Sequence, residues 1–132
     1  MNDPILPEFH ALGKPMTHPS RQLDTFPCPP HVKLVRFTSD ELTAFCPVTH
    51  QPDFYTIELE FHPHQLCIES KSLKLFLWSF REDHCFAEDL AGRIAQHVVH
   101  AISPHFCRVT LHQNIRGGIK LSAVAEIGLS PT

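Results

Sequence analysis

Tyr55, Ile57, Leu59 and Phe61 alternate with Thr56, Glu58 and Glu60. A period of two predicts a strand with one face buried. His62-Pro63-His64 ends it. Over residues 70–80 the period lengthens, and Leu73, Phe76, Leu77 and Phe80 fall on one stripe of a helix. A second helix is predicted over residues 86–101, where Leu90, Ala91, Ile94, Ala95 and Val98 share a face with Ile102. Ser103-Pro104 stops it. Alternation returns at Cys107, Val109 and Leu111, and again at Ile119, Leu121 and Ala123, with residues 114–118 as the turn between them. Upstream, residues 31–37 read as a strand without clean alternation, and C-P-V-T-H-Q-P at 46–52 reads as a loop stiffened by two prolines. The order β-β-α-α-β-β, with two helices on one face of an antiparallel sheet, predicts an α+β fold. Four strands leave two open edges, which invite pairing with other subunits.

Residues 1–30 hold seven of the 12 prolines and show no apolar period. They read as an irregular arm, which leaves residues 31–132 as a single domain. With 132 residues and 42% hydrophobic positions the domain is small, and association would help it bury surface. The formal net charge of -3 argues against a broad nucleic-acid face, which needs clustered positive charge. Lys71, Lys74 and Arg81, and further on Arg116 and Lys120, still allow a local phosphate site. No apolar run is long enough to span a membrane and no secretory signal is visible, so a cytoplasmic location is expected. The cysteines Cys28, Cys46, Cys67, Cys85 and Cys107 form no C-x-x-C pair and are expected as reduced thiols. The 11 histidines include no zinc-ligand set at characteristic spacing, and no metal site is expected.

Two segments carry candidate chemistry. F-C-P-V-T-H-Q-P-D-F holds a thiol, Cys46, and an acid, Asp53, on a stiff loop beside a strand. A buried structural cysteine and a turn aspartate would read the same way. I-E-S-K-S-L-K-L-F-L-W-S-F-R at 68–81 holds lysines near the positive end of a helix, where phosphate binds well, yet a solvated lysine face fits the residues equally.

Taken together, C-P-V-T-H-Q-P-D-F and E-S-K-S-L-K-L-F-L-W-S-F-R resemble the 7-cyano-7-deazaguanine reductases of queuosine biosynthesis, with F-A-E-D at 86–89 and R-G-G at 116–118 as further blocks. The resemblance covers roughly residues 31–125. It implies the tunnelling fold, with ring barrels of two stacked pentamers and active sites between subunits. It implies NADPH as cofactor and a small-molecule nitrile, 7-cyano-7-deazaguanine, reduced to the aminomethyl group. By resemblance Cys46 is the nucleophile that forms a covalent thioimide, and Asp53 the proton donor, its apolar neighbours Pro52 and Phe54 favouring the protonated acid. Ile68, Glu69, Ser70, Ala87 and Glu88 fall where the family binds the deazaguanine base. Ser70, Lys71, Ser72, Lys74, Arg81 and Arg116 fall to NADPH, the cations suiting its phosphates. One position departs. The family usually has histidine before the binding glutamate, whereas this chain has Ala87, which leaves a gap for His84 or a water to fill. Two other readings remain: an amidine-forming transferase acting on a nitrile in tRNA, and a purine-binding protein without turnover.

Overall fold

The computed structural model describes residues 18–129. In chain order its elements are β1 (Thr25–Pro27), β2 (Val35–Phe45), β3 (Pro52–His62), β4 (Leu66–Ile68), α1 (Ser70–Trp78), α2 (Ala87–Ile102), β5 (Phe106–Arg116) and β6 (Ile119–Gly128). Four long strands form one antiparallel sheet in the order β2-β3-β5-β6, so β2 and β6 are its edges. The predicted β-β-α-α-β-β order is present, with β1 and β4 added as a short antiparallel pair.

The alternation read along β3 is the alternation observed. Tyr55, Ile57, Leu59 and Phe61 are all within 2% of complete burial. Each such side chain contributes roughly 1.5–3 kcal/mol on leaving water. They meet Cys107, Val109 and Leu111 of β5 and the buried stripes of both helices in one apolar cluster. Helix α2 lies over β5 and β6, while α1 lies toward β2. The other face of the sheet is polar. Arg36 pairs with Glu60, and Arg108 bridges Glu60 and Glu126 across three strands.

Strand β2 begins later and runs further than the pattern at residues 31–37 suggests, from Val35 to Phe45. Its register against β3 shifts by one between Ser39 and Leu42. Val35, Phe37 and Ser39 share the inner face before the shift, and Leu42 and Ala44 after it. Such a bulge adds one residue to one strand and reverses its alternation.

Part of the segment before residue 31 is described, and it packs on the domain. Its first 17 residues lie outside those described, but residues 20–28 pack along α1. The Arg21 guanidinium donates to the Ser79 carbonyl and to Asp83, and stacks on the Phe80 ring at 4.2 Å. Further on, the Asp24 amide donates to Ser72 Oγ, its carbonyl accepts from the Glu69 amide, and β1 then pairs with β4. Asp83 also accepts from Arg93. Its burial opposes ionisation, but the bonds from the two guanidinium groups prevail and hold the carboxyl below its ordinary range.

Candidate active site

Cys46 follows the last residue of β2. Its amide donates to the Gln51 carbonyl and its carbonyl accepts from the His50 amide, both at 2.9 Å, which closes residues 46–51 into a tight turn. His50 sits in the left-handed region at φ 58°. A side chain there costs roughly 1–2 kcal/mol, which the surrounding bonds must offset. The turn aims two consecutive amides and a hydroxyl at the sulfur. Bonds from the Thr49 side chain, the Thr49 amide and the Val48 amide stabilise the thiolate, and they outweigh burial and the charge of Asp53. The Cys46 thiol is therefore held below the ordinary cysteine value. Burial does the opposite elsewhere. It lifts Cys67 to about 11 and Cys107 to about 12, and raises Cys85.

This difference predicts selective reactivity. Because the folded value of Cys46 is lowered, its thiolate appears at lower pH than that of a free cysteine. The iodoacetamide labelling rate of Cys46 will therefore rise with pH at a midpoint below that of a cysteine peptide. Thr49→Val removes the largest stabilising bond and will move that midpoint upward, as peptide mapping across pH can measure. An unchanged midpoint would remove Thr49 from this role.

Asp53 is the first inward residue of β3 and lies opposite Ala44 of β2. It is 4% exposed. Its sequence neighbours suggest an apolar setting, but Arg116 Nη1 donates to its Oδ1. Arg116 ends β5, and Gly117 and Gly118, at φ 57° and 75°, carry the chain back to Ile119. Both positions need the left-handed backbone of a two-residue hairpin turn, which glycine adopts without a Cβ clash. Arg116, which the resemblance assigns to NADPH, here also contacts the acid.

The connection between the helices backs this end of the sheet. The Phe45 amide donates to the Asp83 carbonyl and the Cys85 amide to the Phe45 carbonyl, at 2.8 and 3.1 Å. His84 stacks on Phe45 at 5.1 Å and meets His50 edge-on at 5.4 Å. His84 lies outside α2, which starts at Ala87. A bridge to Phe45 brings it to the Cys46 loop instead. Ala87 is 3% exposed and belongs to the apolar cluster, so no open gap is found at its methyl. Glu88, next along, is exposed in the first turn of α2.

The second block behaves differently from its sequence reading. Glu69 caps α1, accepting from the Lys71 amide at 2.6 Å and the Ser72 amide at 2.8 Å. The amides that would cradle a phosphate at a free helix end are thus occupied by a carboxylate. Ser72 is 1% exposed, and its hydroxyl donates to the Glu69 carbonyl while accepting from Asp24. It fastens the helix start and faces no open surface. Ile68 is likewise buried. Ser70 and Lys74 are exposed and line a groove of about 480 Å³ between α1 and β2, floored by Phe37, Leu73, Leu77 and Trp78. Lys71 is half-buried, and Arg81 is exposed beyond α1. The groove borders β2 at residues 37–41, while Cys46 lies past that strand's end, so the two blocks occupy different stations of one edge. The groove is an apolar slot with Lys74 at its side.

Sequence reasoning missed Thr49, although it stands three residues after the cysteine, within reach of a turn. It also missed Tyr55, which reads only as a core residue of β3. Tyr55 is 2% exposed, and its hydroxyl alone among the described buried side-chain polar atoms has no hydrogen-bond partner in the protein. Such an atom costs about 1–3 kcal/mol. Among the described residues, no cluster of three or more histidine, cysteine or acidic side chains could hold a metal ion, and no helix is long and apolar enough to cross a membrane.

Comparison with known proteins follows the same outline. A family model described as QueF-like protein matches residues 52–131. The NADPH-dependent 7-cyano-7-deazaguanine reductase of Thiobacillus denitrificans is 44% identical over 110 residues, which cover 82% of this chain and 79% of the relative. The protein of the same name from Halorhodospira halophila is 43% identical over 112 residues, covering 83% of this chain and 95% of the relative. That of Nitrosococcus oceani is 41% identical, with 83% and 87% covered. Among solved structures, an apo archaeosine synthase QueF-Like superposes with a TM-score of 0.71 at 25% identity, over 76% of this chain and 98% of that one.

Proposed function

This chain belongs to the QueF-like family, and from that premise we propose that it reduces the nitrile of 7-cyano-7-deazaguanine to the aminomethyl group with NADPH, through a thioimide on Cys46, for queuosine in tRNA. It is an NADPH-dependent oxidoreductase, as its relatives are named. The observation that carries the mechanism is Cys46 itself, a thiol lowered by three hydrogen bonds in a loop whose other end holds a buried acid.

The Cys46 thiolate attacks the nitrile carbon, a weak electrophile, and binds the substrate covalently. Asp53 delivers a proton to the nitrile nitrogen as charge develops there. Asp53 accepts from Arg116 in the resting chain, so it leaves that bond and takes up the proton that the Cys46 thiol releases before passing it to the nitrogen. Glu88, at the open N-terminus of α2, accepts from the N–H edge of the base. Ser70, Lys71, Lys74 and Arg81 hold NADPH, which supplies hydride. Copies of the chain complete the site by pairing the free edges of β2 and β6 into a ring barrel, where exposed Phe54, Phe86, Ile115 and Ile119 find cover.

Incubating the protein with 7-cyano-7-deazaguanine and NADPH tests the reading. Nicotinamide absorbance should fall and the aminomethyl product appear, with two NADPH oxidised per product. The solved relative is named an archaeosine synthase, which makes an amidine-forming transferase the alternative. That reading predicts no NADPH loss and would replace the first if product formed without it. Binding of the base with neither event would mean a protein that has lost turnover.

A further inference from the structure

The β3 strand brings a further group to this site. Tyr55 follows Asp53 by two residues, so both project from the same face of β3, roughly 7 Å apart along it. On its flanks Tyr55 faces Leu42 of β2 and Gln113 of β5. Its ring lies in the apolar cluster, and its hydroxyl has no partner among the described residues. Burial is the main force that raises the phenol above its ordinary value, and the charges of Asp53, Cys85, Glu88 and Cys46 add to it. Three of those four are residues already placed in the reaction. The phenol therefore stays neutral and remains a donor throughout the working pH range. Ala87 shares the same cluster and brings no hydrogen-bonding group to it. A buried donor with no partner among the described residues, on the same strand face as the acid, has a natural acceptor in the substrate.

We propose that the Tyr55 hydroxyl is a catalytic hydrogen-bond donor to the nitrile nitrogen. The inference rests on the reductase reading for the identity of that nitrogen. In the addition step a C–S bond forms from Cys46, one π bond of the nitrile breaks, and the nitrogen takes one proton from Asp53. Nothing is oxidised or reduced at this stage. The nitrogen keeps a lone pair after protonation, and the phenol donates to that lone pair without losing its own proton. Charge developing on nitrogen thus meets a preorganised dipole in a site shielded from water.

Tyr55→Phe keeps the ring and removes only the hydroxyl. The rate of adduct formation should be followed by intact mass, with 7-cyano-7-deazaguanine present and NADPH withheld. The variant is expected to form the Cys46 adduct roughly 10²-fold more slowly, the scale seen when one such donor is lost. Its melting temperature should equal or exceed that of the wild type, because an unpartnered buried hydroxyl is gone. Equal adduct rates would overturn the proposal, and a lowered melting temperature with an unchanged rate would make Tyr55 a structural residue only. A wild type that forms the adduct but oxidises no NADPH would overturn the reductase reading, while the comparison of adduct rates still decides Tyr55. No adduct in the wild type would overturn both.

Discussion

Replacing Cys46 with alanine will abolish the covalent adduct and lower NADPH oxidation by roughly 10⁴–10⁶-fold, the scale of losing a nucleophile on which every later step depends. The expectation follows from how unevenly the fold treats its thiols. Cys67, Cys85 and Cys107 are sealed in the apolar cluster and raised by burial, so none can replace Cys46 as a thiolate. Intact mass after incubation with the nitrile should rise by one substrate mass in the wild type. It should do so equally in Cys85→Ala and not at all in Cys46→Ala. An adduct persisting in Cys46→Ala would assign the chemistry to another thiol.

Asp53→Asn will lower turnover by roughly 10²–10⁴-fold, the usual cost of a general acid, while leaving the fold intact. The ion pair with Arg116 makes this a clean substitution. Asp53 has a side chain only 5% exposed, whereas that of Arg116 is 40% exposed. With the carboxylate gone, Arg116 turns to water at little cost. The reverse change strands a buried charge, so Arg116→Ala should lose about 1–3 kcal/mol of stability, more than Asp53→Asn does. Thermal melts and steady-state rates on the two variants separate acid catalysis from charge pairing. Near-normal turnover in Asp53→Asn would exclude Asp53 as the proton donor.

Much of the fold is legible from period alone where one residue's partner lies on its own element. The helices α1 and α2 and the strands β3, β5 and β6 all repeat regularly enough to be seen. Only the start of β2 is visible in the sequence, because its alternation reverses at the bulge after Ser39 and a single period finds one half. Strands β1 and β4 are three residues each, too short for any period, and exist through their mutual pairing and the bonds of Asp24. The site divides in the same way. Cys46 and Asp53 are legible through a long motif. Arg116 is visible as a cation but not as the partner of an acid 63 positions away, since that pairing depends on the hairpin turn. The capping role of Glu69 and Ser72 is not legible, because a motif does not reveal which of their polar atoms bond the start of the helix. Tyr55 is hidden by its place in a clean alternation, where an aromatic side chain looks like any core residue.

The Glu69 cap has a consequence for how the dinucleotide comes and goes. Under the proposed assignment, with the α1 amides held by that carboxylate, the phosphates are left to ammonium and guanidinium groups on flexible stems. Attraction of that kind is long-ranged but soft, and at physiological ionic strength mobile ions screen it over about 8 Å. Under the proposed reaction a spent dinucleotide has to depart and a fresh one arrive before the amine is complete. A grip made of screened point charges, weakening as salt rises, favours rapid exchange over long residence.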